Sequence, residues 1–318
     1  MPFFWFVLIS FVFLWLFSGL LVFVISCIRR KEINWFAEED IKKTPYGVHY
    51  NNILLGDRFL RQHNAQEVQI KSFDGLQLSG MYIPAENPKG TVLLVHGYRS
   101  NKLVDFGLVL EFYHDKGMNI LLPDQRAHGK SEGRYITFGV KESRDVKSWI
   151  DYHNQTFGAY PLILSGLSMG ASTMLYLADA DLPENVKGII ADCGFTSPWE
   201  IISTVYRRTI HLPAFFGVLP AELFARVFGG FSLRENNTCE SLKNSRLPVL
   251  MVHGTQDGFV PCEMTRKGYD ACTGKKQLLL VEGADHGVSF LVDRAKYTQL
   301  VTAFLKKYVE DADALRDD

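Results

Sequence analysis

The amino-acid sequence predicts an α/β fold: a mostly parallel, doubly wound sheet that opens with an antiparallel hairpin, carries a helical insertion and follows a membrane helix. Three observations predict it. Six short runs, apolar throughout, each stop at a glycine or a polar cluster, as strands buried on both faces do. Amphipathic segments of helical period lie between them, and this alternation builds a parallel sheet covered on both sides. Finally, residues 1–28 contain no Asp, Glu, Lys, Arg or His.

That leading segment comes first in the chain. Residues 3–28 are 26 uncharged, mostly apolar positions. As a helix they rise about 39 Å, enough to cross a hydrocarbon layer of about 30 Å with some tilt. A cleaved signal peptide would want a basic start, a shorter apolar run and a small-residue cleavage site. A buried core helix would be shorter and polar on one side. Residues 3–28 therefore read as an uncleaved anchor. Arg29, Arg30 and Lys31 follow it at once, with Lys42 and Lys43 close behind, which places the rest of the chain on the cytoplasmic side. Residues 29–65 read as a polar connector without chemistry.

Composition narrows the function classes. With 34 Lys+Arg against 35 Asp+Glu and a net charge of −1, the chain has no general electrostatic case for nucleic acid. Five cysteines in 318 residues, with no CxxC pair, make neither a disulfide framework nor a zinc or redox site.

The catalytic domain is expected over residues 66–310. EVQIKSF and LQLSGMYIP alternate apolar and polar residues around Asp74-Gly75, a hairpin signal. The apolar runs TVLLVHG, MNILLPD, PLILSG, VKGIIAD, LPVLMVHG and KQLLLVEG follow, with helical patterns at residues 140–154 and 294–309 between or after them. Residues 311–318 read as a solvated acidic tail. In such folds ligands bind beyond the carboxyl ends of the strands, so reactive side chains belong just after each run.

Gly166-Leu167-Ser168-Met169-Gly170 follows the run PLILS and opens the helical ASTMLYLAD. G-x-S-x-G between a strand and a helix is the setting of a nucleophile elbow. The turn strains the serine backbone, the flanking glycines Gly166 and Gly170 keep side chains away, and the helix start faces developing negative charge. A serine needs a base, and the base an orienting acid. Asp257 and His286 both fall at the ends of the last two runs, in the order this fold expects. Asp192 also ends a strand and stays open as the alternative acid. Asp285 and Asp124 read as structural, as do His96, His128 and His253 in their loops. His49, His63, His114, His153 and His211 lack a strand end. Backbone N–H groups of Met169 and of Tyr98, after His96-Gly97, are the candidate oxyanion donors.

Together HGY, DQRAHGKSEG, GLSMG, HGTQDGFVP and ADHG resemble the α/β-hydrolase superfamily, above all its membrane-anchored, serine-aminopeptidase-like and Bem-like members. The resemblance covers about residues 67–309. It implies Ser168 as nucleophile, His286 as base, Asp257 as acid, Tyr98 and Met169 as oxyanion donors, and no metal or organic cofactor. It leaves the substrate open. The long stretch between VKGIIAD and LPVLMVHG matches the position of the superfamily's cap, about residues 197–243. Pro213 and Pro220 are expected to break it into short helices. Phe215, Phe216, Leu219, Leu223, Phe224 and Phe228 are candidates for an acyl-pocket wall, and Arg207 and Arg208 for an anionic head group. Three functions are weighed: an esterase or thioesterase acting on a small-molecule or lipid-like acyl substrate at the membrane, a peptidase using Glu200 or Glu222 to hold an amine, and a silent membrane-tethered interaction module.

Overall fold

The apolar runs become strands for the reason that marked them: alternate side chains point to opposite faces, and here both faces are covered. The computed structural model describes residues 2–31, 33–43, 47 and 50–311. His49 and the acidic tail past Asp311 lie outside the described residues. Strands β1 (Gln66–Lys71), β2 (Gln77–Ile83), β3 (Gly90–Val95), β4 (Met118–Pro123), β5 (Leu162–Leu167), β6 (Val186–Asp192), β7 (Val249–Gly254) and β8 (Lys276–Val281) form one sheet in the order β1-β2-β4-β3-β5-β6-β7-β8. β2 pairs antiparallel with β1 and β4, and the other neighbours are parallel. The hairpin turns at Asp74-Gly75, with Lys71 opposite Gln77.

Each central strand feeds two cores. Val92 and Leu94 of β3 face one, and Leu93 and Val95 the other. The helix Val140–Thr156 covers the second face with Val146, Trp149 and Ile150, while Arg294–Leu305 covers the first with Val301, Phe304 and Leu305. Two helices ahead of β1, Glu38–Lys42 and Tyr50–Gln62, bury Ile41, Ile53 and Phe59 against that first face. β8 closes the sheet as an edge, so its apolar residues are half-buried until Val281.

Between β6 and β7 lies the insertion. Ser197 caps its first helix, Pro198–Ile210, by accepting from the Glu200 N–H. His211 ends that helix in the left-handed region at φ +59°, and Pro213 follows. Pro220 breaks nothing. It sits in the first turn of Val218–Phe224, where its missing N–H would have had no partner.

Residues Pro2–Cys27 form one helix, long and apolar enough to cross a membrane by length and composition. Its carboxyl half docks on the insertion. A Cβ on Gly19 would stand 2.5 Å from Pro220 Cβ, so only glycine admits the crossing. Trp15 Nε1 donates to the Phe215 carbonyl at 2.7 Å, and the Ser18 hydroxyl donates to that of Phe216. Phe23 is buried among Phe231, Ala221 and Ala225, a contact that contributes about 2 kcal/mol. Beyond the helix, Ile136 N–H donates to the Cys27 carbonyl and Arg29 N–H to that of Arg134.

Candidate active site

Ser168 stands between β5 and the helix Met169–Leu175 at φ 55°, ψ −115°, a region L-residues avoid. What holds it there is close backbone packing. A Cβ on Gly166 would meet the Gly170 carbonyl carbon at 2.3 Å, and one on Gly170 would meet the Val95 oxygen at 1.9 Å. Both positions exclude any side chain. The Ser168 N–H donates to the Asp192 carbonyl at 2.8 Å, and its own carbonyl starts the helix by accepting from Ser172. The hydroxyl is thereby lifted above the strand ends.

His286 and Asp257 arrive from the loops after β8 and β7. The Ser168 hydroxyl and His286 Nε2 lie 2.9 Å apart, and His286 Nδ1 lies 2.7 Å from Asp257 Oδ2. A carboxylate accepts only, so Nδ1 carries the hydrogen and Nε2 is left to accept from the serine. Burial works to raise the Asp257 pKa, but hydrogen bonds from His253 and His286 prevail and hold it well below the usual carboxylate range. Its other oxygen accepts the Phe259 and Val260 N–H groups, each at 2.8 Å. Asp257 is thus a fixed anion in reach of the imidazole.

The alternative acid, Asp192, stands elsewhere: it accepts from Ser289 at 3.2 Å. Burial pushes its carboxyl up from 3.8 to about 6, against the pull of His253 and Ser289. A raised folded-state pKa stabilises the protonated form, so this contribution is full below about pH 4 and fades as pH rises through 6. Asp192→Asn cannot titrate. Its melting point relative to the unsubstituted protein should therefore improve between pH 4.5 and 7.5 by the equivalent of about 2 kcal/mol. Parallel melting curves at the two pH values check this; an unchanged gap contradicts it.

His253, read from sequence as a loop support, touches Asp257 directly. Its Nε2 is 3.1 Å from Asp257 Oδ2 and from the Val260 carbonyl, and its Nδ1 is 2.7 Å from the Thr265 hydroxyl. Facing two acceptors, Nε2 carries the hydrogen. The sequence signal was its place four residues before Asp257 at a strand end. Asp285 accepts from the N–H groups of Gly258 and His286 and so ties the two loops. Asp124 pairs with Lys102 at 2.6 Å. His96 and His128 accept from the Gln125 and Arg99 N–H groups.

Met169, first in its helix, follows the serine, and first-turn amides have no acceptor within a helix. Gly97 brings the other loop in: its N–H donates to half-buried Asp105 at 2.6 Å, and a Cβ there would stand 3.2 Å from Ser168 Cβ. Tyr98 follows, its hydroxyl donating to the Ser26 carbonyl at 2.8 Å and its ring stacked on Phe138. Arg99 donates to the carbonyls of Ile25 and Ile28. The end of the apolar helix thus holds the loop that carries the Tyr98 N–H.

Cys193, Asp257 and His286 offer donor atoms within 4.8 Å of one another. Burial pushes the Cys193 thiol well up, and a protonated thiol is a poor ligand. Asp257 and His286 spend their facing atoms on each other.

Ser168 opens into a cavity of about 590 Å³, a size usual for ligand sites. Its walls correct the expectation for the insertion. Phe215, Phe216, Leu219, Leu223, Phe224 and Phe228 do not line it. Phe215 lies against Trp15, Phe224 and Phe228 lie against Phe23, and Phe216, Leu223 and Phe228 are exposed. The lining comes from the first insertion helix, with Ile201, Ile202, Val205 and Tyr206, and from Leu21, Val22 and Ile25 of the apolar helix. Arg208 donates to the Gly258 carbonyl at 2.8 Å, and Arg207 is exposed outside the cavity. Glu200 accepts from Thr196, and buried Glu222 is spent on Arg226, Ser232 and Leu233.

Comparison with known proteins agrees with this architecture. A family model described as serine aminopeptidase, S33, matches residues 86–237, and one described as TAP-like protein matches residues 232–314. YqkD of Bacillus subtilis is 29% identical over 238 residues, covering 74% of this chain and 77% of that protein. The yeast membrane protein YNL320W is 26% identical over 238 residues, covering 73% and 76%. Among solved structures, the Pyrococcus furiosus esterase Pf2001 superposes with a TM-score of 0.65 at 23% identity, covering 79% of this chain and 94% of its own. The α/β hydrolase GrgF from Penicillium gives 0.62 at 18%, covering 77% and 99%. Two family models that together match residues 86–314, on a sheet of this order that superposes on known α/β hydrolases, give the chain the α/β-hydrolase fold.

Proposed function

We propose that the chain is a membrane-anchored serine hydrolase that cleaves ester or thioester bonds of acyl substrates. The observation that carries this reading is the cavity at Ser168. Among the described residues that line it there is no Asp or Glu, and Arg99 is the one charge. An aminopeptidase must neutralise a free amine beside the scissile bond, and neither Glu200 nor Glu222 is placed to do so. An acyl chain asks only for apolar walls.

The mechanism is two-step acyl transfer. Ser168 Oγ attacks the carbonyl carbon while its proton passes to His286 Nε2, and Asp257 steadies the imidazolium. The carbonyl oxygen gathers negative charge facing the Tyr98 and Met169 amides. The C–O or C–S bond then breaks, the leaving group takes the proton from His286, and an alcohol or thiol departs. Water repeats the sequence on the acyl-enzyme: its proton goes to His286, its oxygen to the acyl carbon, and Ser168 recovers its hydrogen as the carboxylic acid leaves. No metal or organic cofactor enters.

The apolar helix would hold the site at the bilayer, where lipid-like substrates are concentrated, with the catalytic domain on the cytoplasmic side. Protease added outside sealed vesicles should leave the carboxyl terminus protected; cleavage there reverses the topology. For the chemistry, a fluorophosphonate probe should label the intact protein. A panel of p-nitrophenyl esters, acyl thioesters and aminoacyl anilides should show turnover of the first two. Turnover of anilides alone would replace this reading by a peptidase, and failure to label would replace it by a silent scaffold.

A further inference from the structure

We infer that the apolar helix is one wall of the acyl pocket, and that the substrate is a membrane-resident amphiphile whose chain enters sideways from the bilayer between this helix and the insertion. The inference rests on the hydrolase reading and adds to it a substrate class and an entry route.

Five residues of the helix, Ser18, Leu21, Val22, Ile25 and Ser26, line the same cavity as Ser168. Two turns separate Ser18 from Ser26, so the cavity follows the helix for about 12 Å. A tether would touch the body at its end only. This helix supplies side chains along a substrate path, and through Tyr98 and Arg99 it also grips the oxyanion loop.

The mouth is apolar. Leu21 and Ile25 line the cavity yet remain 44% and 56% exposed, and Ile210, Leu212 and Phe259 across from them are 40–49% exposed. A cavity meant for solutes from water does not ring its entrance with bare aliphatic and aromatic side chains. Lipid is the surrounding that such a ring fits.

Length gives an independent argument for the same placement. Docking begins at Trp15. Residues 2–14 rise about 20 Å, short of the ~30 Å hydrocarbon layer. To span it, the helix must also use about seven docked residues, and these carry the insertion down with them. The insertion surface so immersed is apolar: Leu212, Phe215, Phe216, Leu223, Val227 and Phe228 are 37–65% exposed. The basic Arg29 and Arg30 then fall at the head-group level, and the mouth, at Leu21 and Ile25, opens at the boundary between the acyl layer and the head groups.

The test uses the full chain in phosphatidylcholine vesicles and two alkyl fluorophosphonates, ethyl and dodecyl, whose labelling rates are compared as a ratio. The unsubstituted protein should favour the dodecyl probe. Val22→Trp fills the wall and should lower the ratio about tenfold for every two methylenes kept out. Ile25→Ala widens the wall and should raise it, a sign that a misfolded variant cannot produce. Leu14→Trp, on the exposed stretch before docking begins, should leave the ratio unchanged. An unchanged ratio in both wall variants, or an equal shift in Leu14→Trp, overturns the inference while leaving the hydrolase reading in place. An unsubstituted protein that takes neither probe overturns the hydrolase reading, and this inference with it.

Discussion

Ser168→Ala should abolish ester turnover, with kcat falling by roughly 10⁶-fold, to the level that binding and oxyanion stabilisation alone can sustain. The size of the loss follows from how the site is built. The serine occupies a strained backbone state enforced by Gly166 and Gly170, and its hydroxyl lies 2.9 Å from His286 Nε2, the base of the proposed mechanism. Alanine keeps the turn but leaves the imidazole nothing to deprotonate except water, which is neither positioned nor held. Folding should be unaffected, because the turn is maintained by backbone contacts rather than by the hydroxyl. Steady-state turnover of a p-nitrophenyl ester and a melting curve on the same sample check both halves. A loss of less than about tenfold would mean that another residue is the nucleophile.

Asp257→Asn should cost about 10⁴-fold in kcat, because an amide can present N–H to His286 Nδ1 and favour the wrong tautomer, and should also lower the melting point at neutral pH, where the hydrogen-bonded anion stabilises the fold. This carboxylate differs from a simple orienting acid in having two histidines on one oxygen, His286 at 2.7 Å and His253 at 3.1 Å. His253→Phe keeps the bulk and removes the second donor. The anion is still fixed by the Phe259 and Val260 amides, so the loss should be near tenfold, the scale of one charge-assisted hydrogen bond. The order matters more than either figure. If His253→Phe proved as damaging as Asp257→Asn, His253 would have to act in proton transfer itself.

The two substitutions also separate what the sequence states from what it conceals. Strands β3 to β8 are legible because a short run buried on both faces has no polar residue to spare, and its end is marked by the glycine or charge that follows. Ser168, Asp257 and His286 are legible because each sits at such an end. The role of His253 is not, since a histidine before glycine at a strand end looks the same whether it binds a loop carbonyl or a carboxylate. The pocket wall is hidden for a different reason. Residue type names Phe215, Phe224 and Phe228 as apolar, but not the side of the insertion they face, and here the outer side meets the long helix. That helix is apolar on every side, so hydropathy alone marks no face. Its small residues do mark one: Ser18, Gly19 and Ser26 all lie on the docked side. Ile41, Ile53 and Phe59 were masked by the polar residues around them, and their burial follows from amphipathic helices too short to read with certainty from period alone.

The central claim is that Ser168 carries the acyl group. The most direct measurement mixes the protein with a slowly deacylating p-nitrophenyl ester, quenches in acid within the first turnover, and maps the mass increase by peptide sequencing. The account predicts one acyl addition on the peptide holding Gly166-Leu167-Ser168-Met169-Gly170, located on Ser168 and absent in Ser168→Ala. An acyl group found on Cys193, His286 or any other side chain, or turnover without an acylated protein, would contradict it.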